Sequence, residues 1–259
     1  FSLGKTAMLQ DFGRQRNALR PHTSASENGY MQGSAATIRL SDAIRLTPFL
    51  SYRKTDATLN IDGSISSLIY TGYHRTISEL NKKNNTSLTA GGMNARWNLE
   101  DFSLGATAVF THINRPLSPN KSATYKKIYP EGSNFFNASL NYSWLHYPFS
   151  VNGETAINAN GAIATMNTLG WHLSQYVEVM GIYRFYSFNY YSLYANAFSE
   201  GGKTQNESGL YLGVRWQPKY GIDIQAYTDL AYFAWPRYGV SQSSYAIDNV
   251  VSASYKTGN

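Results

Sequence analysis

Cysteine is absent from all 259 residues, which excludes disulfide frameworks and thiolate metal sites together. Also missing is any apolar run near the roughly 18 residues that a membrane-spanning helix needs, and mean hydropathy is only −0.37. A chain of this composition that enters a bilayer must do so with strands. Acidic residues are few, 16 Asp and Glu against 22 Lys and Arg, which leaves a net charge of +6. The cations are scattered, with short pairs such as Lys82-Lys83 and Lys126-Lys127. They form no nucleic-acid footprint, and no nucleic-acid partner is expected. The opening FSLGKTAMLQ lacks the basic start, apolar core and small-residue cleavage site of a signal peptide.

What is abundant is aromatic: 21 Tyr, 12 Phe and 5 Trp. The clearest order lies in Gly209 to Trp235, where two alternations meet across a turn. Leu210, Leu212, Val214 and Trp216 share one face, with Tyr211, Gly213 and Arg215 on the other. After Gln217-Pro218-Lys219-Tyr220-Gly221, Ile222, Ile224, Ala226, Thr228, Leu230 and Tyr232 alternate with Asp223, Gln225, Tyr227 and Asp229. Pro and Gly mark the turn, so the stretch predicts a β-hairpin. The second arm reaches the roughly 9 to 11 residues of a tilted bilayer-crossing strand.

The same period recurs elsewhere. Residues 1–9 read as a strand and Asp11 to Gly29 as a loop. Ile44, Leu46, Leu50 and Tyr52 alternate with Arg45, Thr47, Ser51 and Arg53, and Pro48 predicts a bulge or irregular pairing there. Lys54 to Asn85 forms a polar insertion with a hairpin around Asp62-Gly63. Further strands follow around Thr89 to Leu99, Leu104 to Phe110, Ala138 to Trp144, Ala162 to Leu173, Tyr176 to Tyr186 and Ile247 to Tyr255. Short turns alternate with long connections. The reading is an all-β fold, an antiparallel transmembrane β-barrel with about ten to twelve strands, long surface loops and short periplasmic turns. A soluble β-sandwich also alternates, but strand length and the positions of Trp97, Trp144, Trp216 and Trp235 near strand ends favour the barrel, where they form interfacial girdles. Residues 1–259 are expected to be one barrel domain, incomplete at both ends because the chain opens on one strand-like phrase and stops just after another.

Three phrases carry a resemblance: TGYHRTISE at Thr71 to Glu79, RFYSFNYYSLYANAFSEGGKTQNESGLYLG at Arg184 to Gly213, and YTDLAYFAWPRYGV at Tyr227 to Val240. They resemble the barrel region of Bacteroidota outer-membrane proteins that carry an amino-terminal helix-hairpin-helix region. The resemblance runs from about Ser2 to Tyr255. It implies the barrel fold and the bacterial outer membrane; the partners expected of such a chain are outer-membrane lipid and other envelope proteins. It supplies no activity. The helix-hairpin-helix segment itself is not among these residues, so a DNA role does not carry over.

No catalytic set is visible. His22, His74, His112, His146 and His172 are scattered, and no Gly-x-Ser-x-Gly elbow occurs. The expectation is a chain that is no enzyme, with no catalytic, cofactor or metal residues. Glu200-Gly201-Gly202 and Asn206-Glu207 offer oxygen ligands, but their spacing matches no calcium loop. Residues expected to face a lumen are Arg39, Arg45, Arg53, Arg96, Glu154, Glu178, Arg184, Arg215, Asp223 and Asp229. They can line an aqueous path or pair across a closed interior. Loop contacts are expected from His74 with Arg75 and Glu79, and from Tyr190, Tyr191, Tyr194 and Phe198, which can fold over the barrel mouth or present an apolar patch to a partner. The functional expectation is a pore or transport barrel, with a structural or partner subunit of an outer-membrane assembly as the alternative and an outer-membrane hydrolase behind both.

Overall fold

The computed structural model describes residues 4–10, 23, 30–219 and 221–256. Thirteen strands form one sheet: β1 (Gly33–Ala35), β2 (Ile38–Arg39), β3 (Ile44–Leu59), β4 (Ile65–Ile69), β5 (Thr86–Asn98), β6 (Phe102–Leu117), β7 (Gly132–His146), β8 (Phe149–Asn158), β9 (Ile163–Ser174), β10 (Val177–Tyr186), β11 (Glu207–Trp216), β12 (Ile222–Phe233) and β13 (Ser244–Tyr255). Three of them, β1, β2 and β4, are short, and the other ten have 10 residues or more. That is long enough for a tilted strand to cross a bilayer. From β5 onward each strand pairs antiparallel with the next, and β3 pairs with β5 over Ile44 to Thr55 before bending away to β4. At one end the connections are the turns 40–43, 99–101, 147–148, 175–176 and 217–221; at the other they include 70–85, 118–131, 187–206 and 234–243.

Which face is covered decides the environment. Leu212 and Trp216 on β11 are each 47% exposed, whereas Arg184 and Tyr211 are 0% exposed and Asp229 is 1% exposed. A water-soluble sheet buries its apolar face and wets its polar one; here the apolar rows point out and the polar rows point in. The fold is therefore an antiparallel transmembrane β-barrel. Lipid covers the outer rows, and the lumen satisfies the inner ones within the protein. The wall curls far enough for loops of distant strands to meet: the Trp235 indole donates to the Thr124 carbonyl at 3.0 Å, and Tyr125 packs edge-on to Tyr238. Pairing starts at β1 and β2, both on β3, and ends at β13.

The structure corrects several local expectations. Residues 1–9 were expected as a strand, but Gly4–Gln10 is a 3-10 helix inside the barrel, with Leu9 packed among Met180, Ile182, Tyr211 and Tyr227. Gly4 takes φ +56, and a Cβ there would lie 2.4 Å from the Tyr227 hydroxyl, so this entry into the lumen requires glycine. The Asp11 to Gly29 loop, His22 and Tyr220 of the hairpin turn lie outside the described residues. Pro48 makes no bulge in its long pairing, where it stands opposite Met93 in continuous register. Its missing donor faces the other side, where β1 stops at Ala35 and β2 begins at Ile38, and its carbonyl accepts from Ala36. The irregularity falls on the edge, where a lost ladder bond costs least. Trp235 belongs to no girdle, since it stacks on Phe188 among the long loops.

Candidate functional site

The lumen is built from the inward rows of β3 and β5 to β13, and its most buried part is an ion cluster. Arg184 on β10 lies across Gly209, its cross-strand partner on β11, and forms a bidentate pair with Asp229 on β12 at 2.7 and 3.2 Å. Gly209 permits this, because a Cβ there would stand 2.4 Å from the guanidinium carbon. The Arg184 Nε donates to Glu207, whose carboxylate also accepts from the Glu200 and Gly201 amides at 2.9 and 2.8 Å. Lys5, entering from Gly4–Gln10, pairs with Glu200 and Asp229 and reaches Asp248 at 3.4 Å. The Lys5 amide donates to the Tyr227 hydroxyl, and the Tyr211 hydroxyl donates to the Lys5 carbonyl. Two cations thus meet four carboxylates, with Arg184, Glu207 and Asp229 fully buried and Lys5, Glu200 and Asp248 partly open to solvent. Such a cluster is rigid when complete and costly when broken.

The 187–206 connection fills the mouth above it. Phe198 lies under both cations, 4.9 Å from the Arg184 guanidinium and 5.8 Å from the Lys5 ammonium, and its carbonyl accepts from the Tyr186 hydroxyl at 2.8 Å. Tyr190 is buried with Ala162, Ala164 and Tyr186. The Tyr191 carbonyl accepts from Asn137 at 2.9 Å, and its ring packs edge-on to Phe135. Tyr194 meets Thr111 on the far wall. Burial pushes the Tyr190, Tyr191 and Tyr194 hydroxyls above the ordinary tyrosine range, which keeps them protonated as donors. The four aromatic residues expected as loop contacts are thus turned into the lumen. Glu200 and Glu207, considered above as calcium ligands, point into the ion cluster, where their oxygens meet Lys5, Arg184 and backbone amides.

The other expected lumen residues fall into two sets near the short turns. Arg215 pairs with Asp223 at 2.7 Å and approaches Glu178 at 3.9 Å, while Glu178 also faces His172 at 3.3 Å. Arg39, Arg45 and Arg96 stand in one row, Arg39 opposite Arg45 and Arg45 opposite Arg96. Through Gly105 and Asn141 that row continues to Glu154 on β8. Arg53, eight residues further along β3 than Arg45 and 5% exposed, sits over the Tyr30 ring at 5.6 Å. Outside the barrel the expected trio of His74, Arg75 and Glu79 divides. Arg75 pairs with Glu79 at 3.0 Å on the helix α1 (Ile77–Leu80), whereas His74 turns to Asp56 on β3 at 2.7 Å. Asp56 also accepts from the Asn84 amide, so it fastens both ends of the 70–85 segment to the wall.

Sequence reading missed Lys5 and Asp248, considered Glu200 and Glu207 only as oxygen ligands, and placed Tyr211 and Tyr227 on a face without their hold on the Gly4–Gln10 helix. Gly209 opposite Arg184 was the available signal, since a glycine inside a regular strand marks a close approach.

No protein-family model matches the chain. No curated protein matches it. Similar solved structures include the outer-membrane expressed OmpT of Vibrio cholerae, 9% identical with a TM-score of 0.31 over 87% of this chain and 81% of that one. An in-vitro folded trimer form of OmpT, an outer membrane protein of Vibrio cholerae, is 9% identical with a TM-score of 0.30, over 85% of this chain and 86% of that one. The expectation that the chain is no enzyme is withdrawn, and these matches to OmpT bear on the fold alone.

Proposed function

We propose that the chain is a pore or transport barrel of the bacterial outer membrane whose lumen is closed by the 187–206 loop and the Gly4–Gln10 helix. The observation that carries this is the nature of the closure. Neither segment pairs with the wall as a strand; both are held by side-chain ion pairs, ring contacts and single hydrogen bonds. Hollows lie on either side of the loop. One of about 330 Å³, lined by Tyr70, Tyr129, Tyr191 and Lys203, sits towards the long loops. Another of about 250 Å³, between Glu154, Met166, Tyr194 and Ala197, sits beneath it. A segment fastened at points between two hollows can move as a unit, whereas a wall strand cannot leave its ladder. The outer rows imply lipid as the surrounding partner, and the resemblance to Bacteroidota barrels supports the same location.

Deleting Asn196 to Gln205 removes Phe198 and Glu200 from the cluster. In planar bilayers the deletion should raise single-channel conductance. A barrel whose conductance is unchanged, but from which a co-purifying envelope protein is lost, would favour the partner-subunit alternative; no change in either measurement would reject the loop as closure and as contact.

A further inference from the structure

We infer that the arginine row near the short turns is a binding site for a soluble oxyanion carrying two or more negative charges, of the diphosphate class. Arg45 and Arg96 are direct cross-strand partners, and Arg39 is the direct partner of Arg45 on its other side. Like charges placed directly opposite one another destabilise a sheet, yet three stand here in succession. Among the described residues, neither Arg39 nor Arg45 has a carboxylate partner. Arg96 is steadied by neutral groups only, Asn98 at 2.8 Å and Ser103 at 3.3 Å, which orient its guanidinium without neutralising it. Of the other lumen cations, Arg184 and Lys5 are outnumbered by carboxylates, Arg215 has Asp223, and Arg53 lies over the Tyr30 ring.

The space before the row fits a ligand. A hollow of about 460 Å³ is lined by Thr37, Arg45, Asn94, Arg96, Asn141 and Glu154 among others. Its lining sets these polar side chains beside Ala35 and Phe49, and Glu154 is the only carboxylate among the described lining residues, so with Arg39 the row keeps an excess of two positive charges. Guanidinium groups bind phosphate and carboxylate oxygens through paired N–H donors in a fixed fork. Two adjacent forks suit an anion with two charged ends. The row faces inward, and its outward neighbours are Ile44, Leu46, Ala95 and Trp97. The ligand therefore arrives through water and not as a lipid headgroup.

This inference concerns the same lumen as the proposed pore, and its test separates the two. The full chain is refolded in an uncharged, phosphate-free detergent and titrated with pyrophosphate by calorimetry. Saturable binding is expected, and it should weaken about tenfold or more in Arg45→Gln and in Arg96→Gln, while Arg75→Gln on the outer loop binds as the unsubstituted chain does. Arg45→Lys keeps the charge without the fork and should fall between. If a Gln variant fails to fold, Arg45→Lys decides: affinity equal to that of the unsubstituted chain overturns the inference. So does the absence of saturable binding, or Gln variants that bind undiminished. Binding by a barrel that conducts no ions would uphold the site and defeat the pore, whereas conductance without binding would do the reverse.

Discussion

Arg184 holds the lumen together because it joins Glu207, which has no other cation partner among the described residues, to Asp229, which Lys5 also meets. Arg184→Met would leave Glu207 and Asp229 buried without it, and breaking a buried pair from one side costs about 3 to 5 kcal/mol. Its urea midpoint in detergent, followed by tryptophan fluorescence, should fall accordingly. Combining it with Glu207→Gln and Asp229→Leu should recover most of the loss, since Arg184 then goes together with both its carboxylates and Lys5 keeps Glu200. The outer rows make the opposite case. Leu212→Arg places a charge on the lipid face at a cost of about 2 to 4 kcal/mol near the bilayer midplane, while Arg215→Ala alters only an inner pair with Asp223. Assembly measured by heat-modifiable migration should drop for the first and hold for the second. Facing was legible at every one of these positions, because a period of two assigns each side chain to one of two sides. Partnership was not. That Arg184 meets Asp229 depends on the registers of β10 with β11 and β11 with β12, and single-residue periodicity carries no register between strands.

Long regular strands were readable as elements, and short fastened segments were not. Helix α1 is the instructive miss. Thr76 and Glu79 form a capping box, with Glu79 also accepting from the Arg75 amide at 2.6 Å, and the S/T-x-x-E spacing was in plain view; it was read instead as a polar cluster with His74. The Arg75 guanidinium and these backbone donors hold the Glu79 carboxyl at about 2, well below its ordinary 4.5. A depressed folded value means the clamp contributes fully above pH 4.5 and is lost as pH falls through about 2. The amide resonances of Arg75 and Thr76 should titrate near that lower value, and Glu79→Gln should remove the transition. The Gly4–Gln10 helix was missed for another reason: its local pattern reads as a strand's, and what holds it is Leu9 and Lys5 against residues of β10, β11 and β12 that no local period reports.

At the scale of the whole molecule, Trp97, Trp144, Trp171 and Trp216 all sit on the outer face within a few residues of the short turns. They form one belt at one interface, as amphipathic rings prefer. A variant keeping only these four should be quenched strongly by lipids brominated near the headgroup. A variant keeping only Trp235 should be quenched weakly, because its indole is tied to Thr124 above the wall. The barrel class and the inward and outward sides were legible in the sequence because both rest on local periodicity; the filled lumen rests on contacts between residues about two hundred positions apart. Those contacts also impose a timetable. Lys5 rests against Tyr211, Tyr227 and Asp229, so the place it occupies does not exist until β11 and β12 have paired. Contacts this distant along the chain are formed late, after the closure entropy of everything between them has been met. Among the residues described here, the earliest to be synthesised are thus among the last to settle, and the barrel's interior is furnished after its wall is raised.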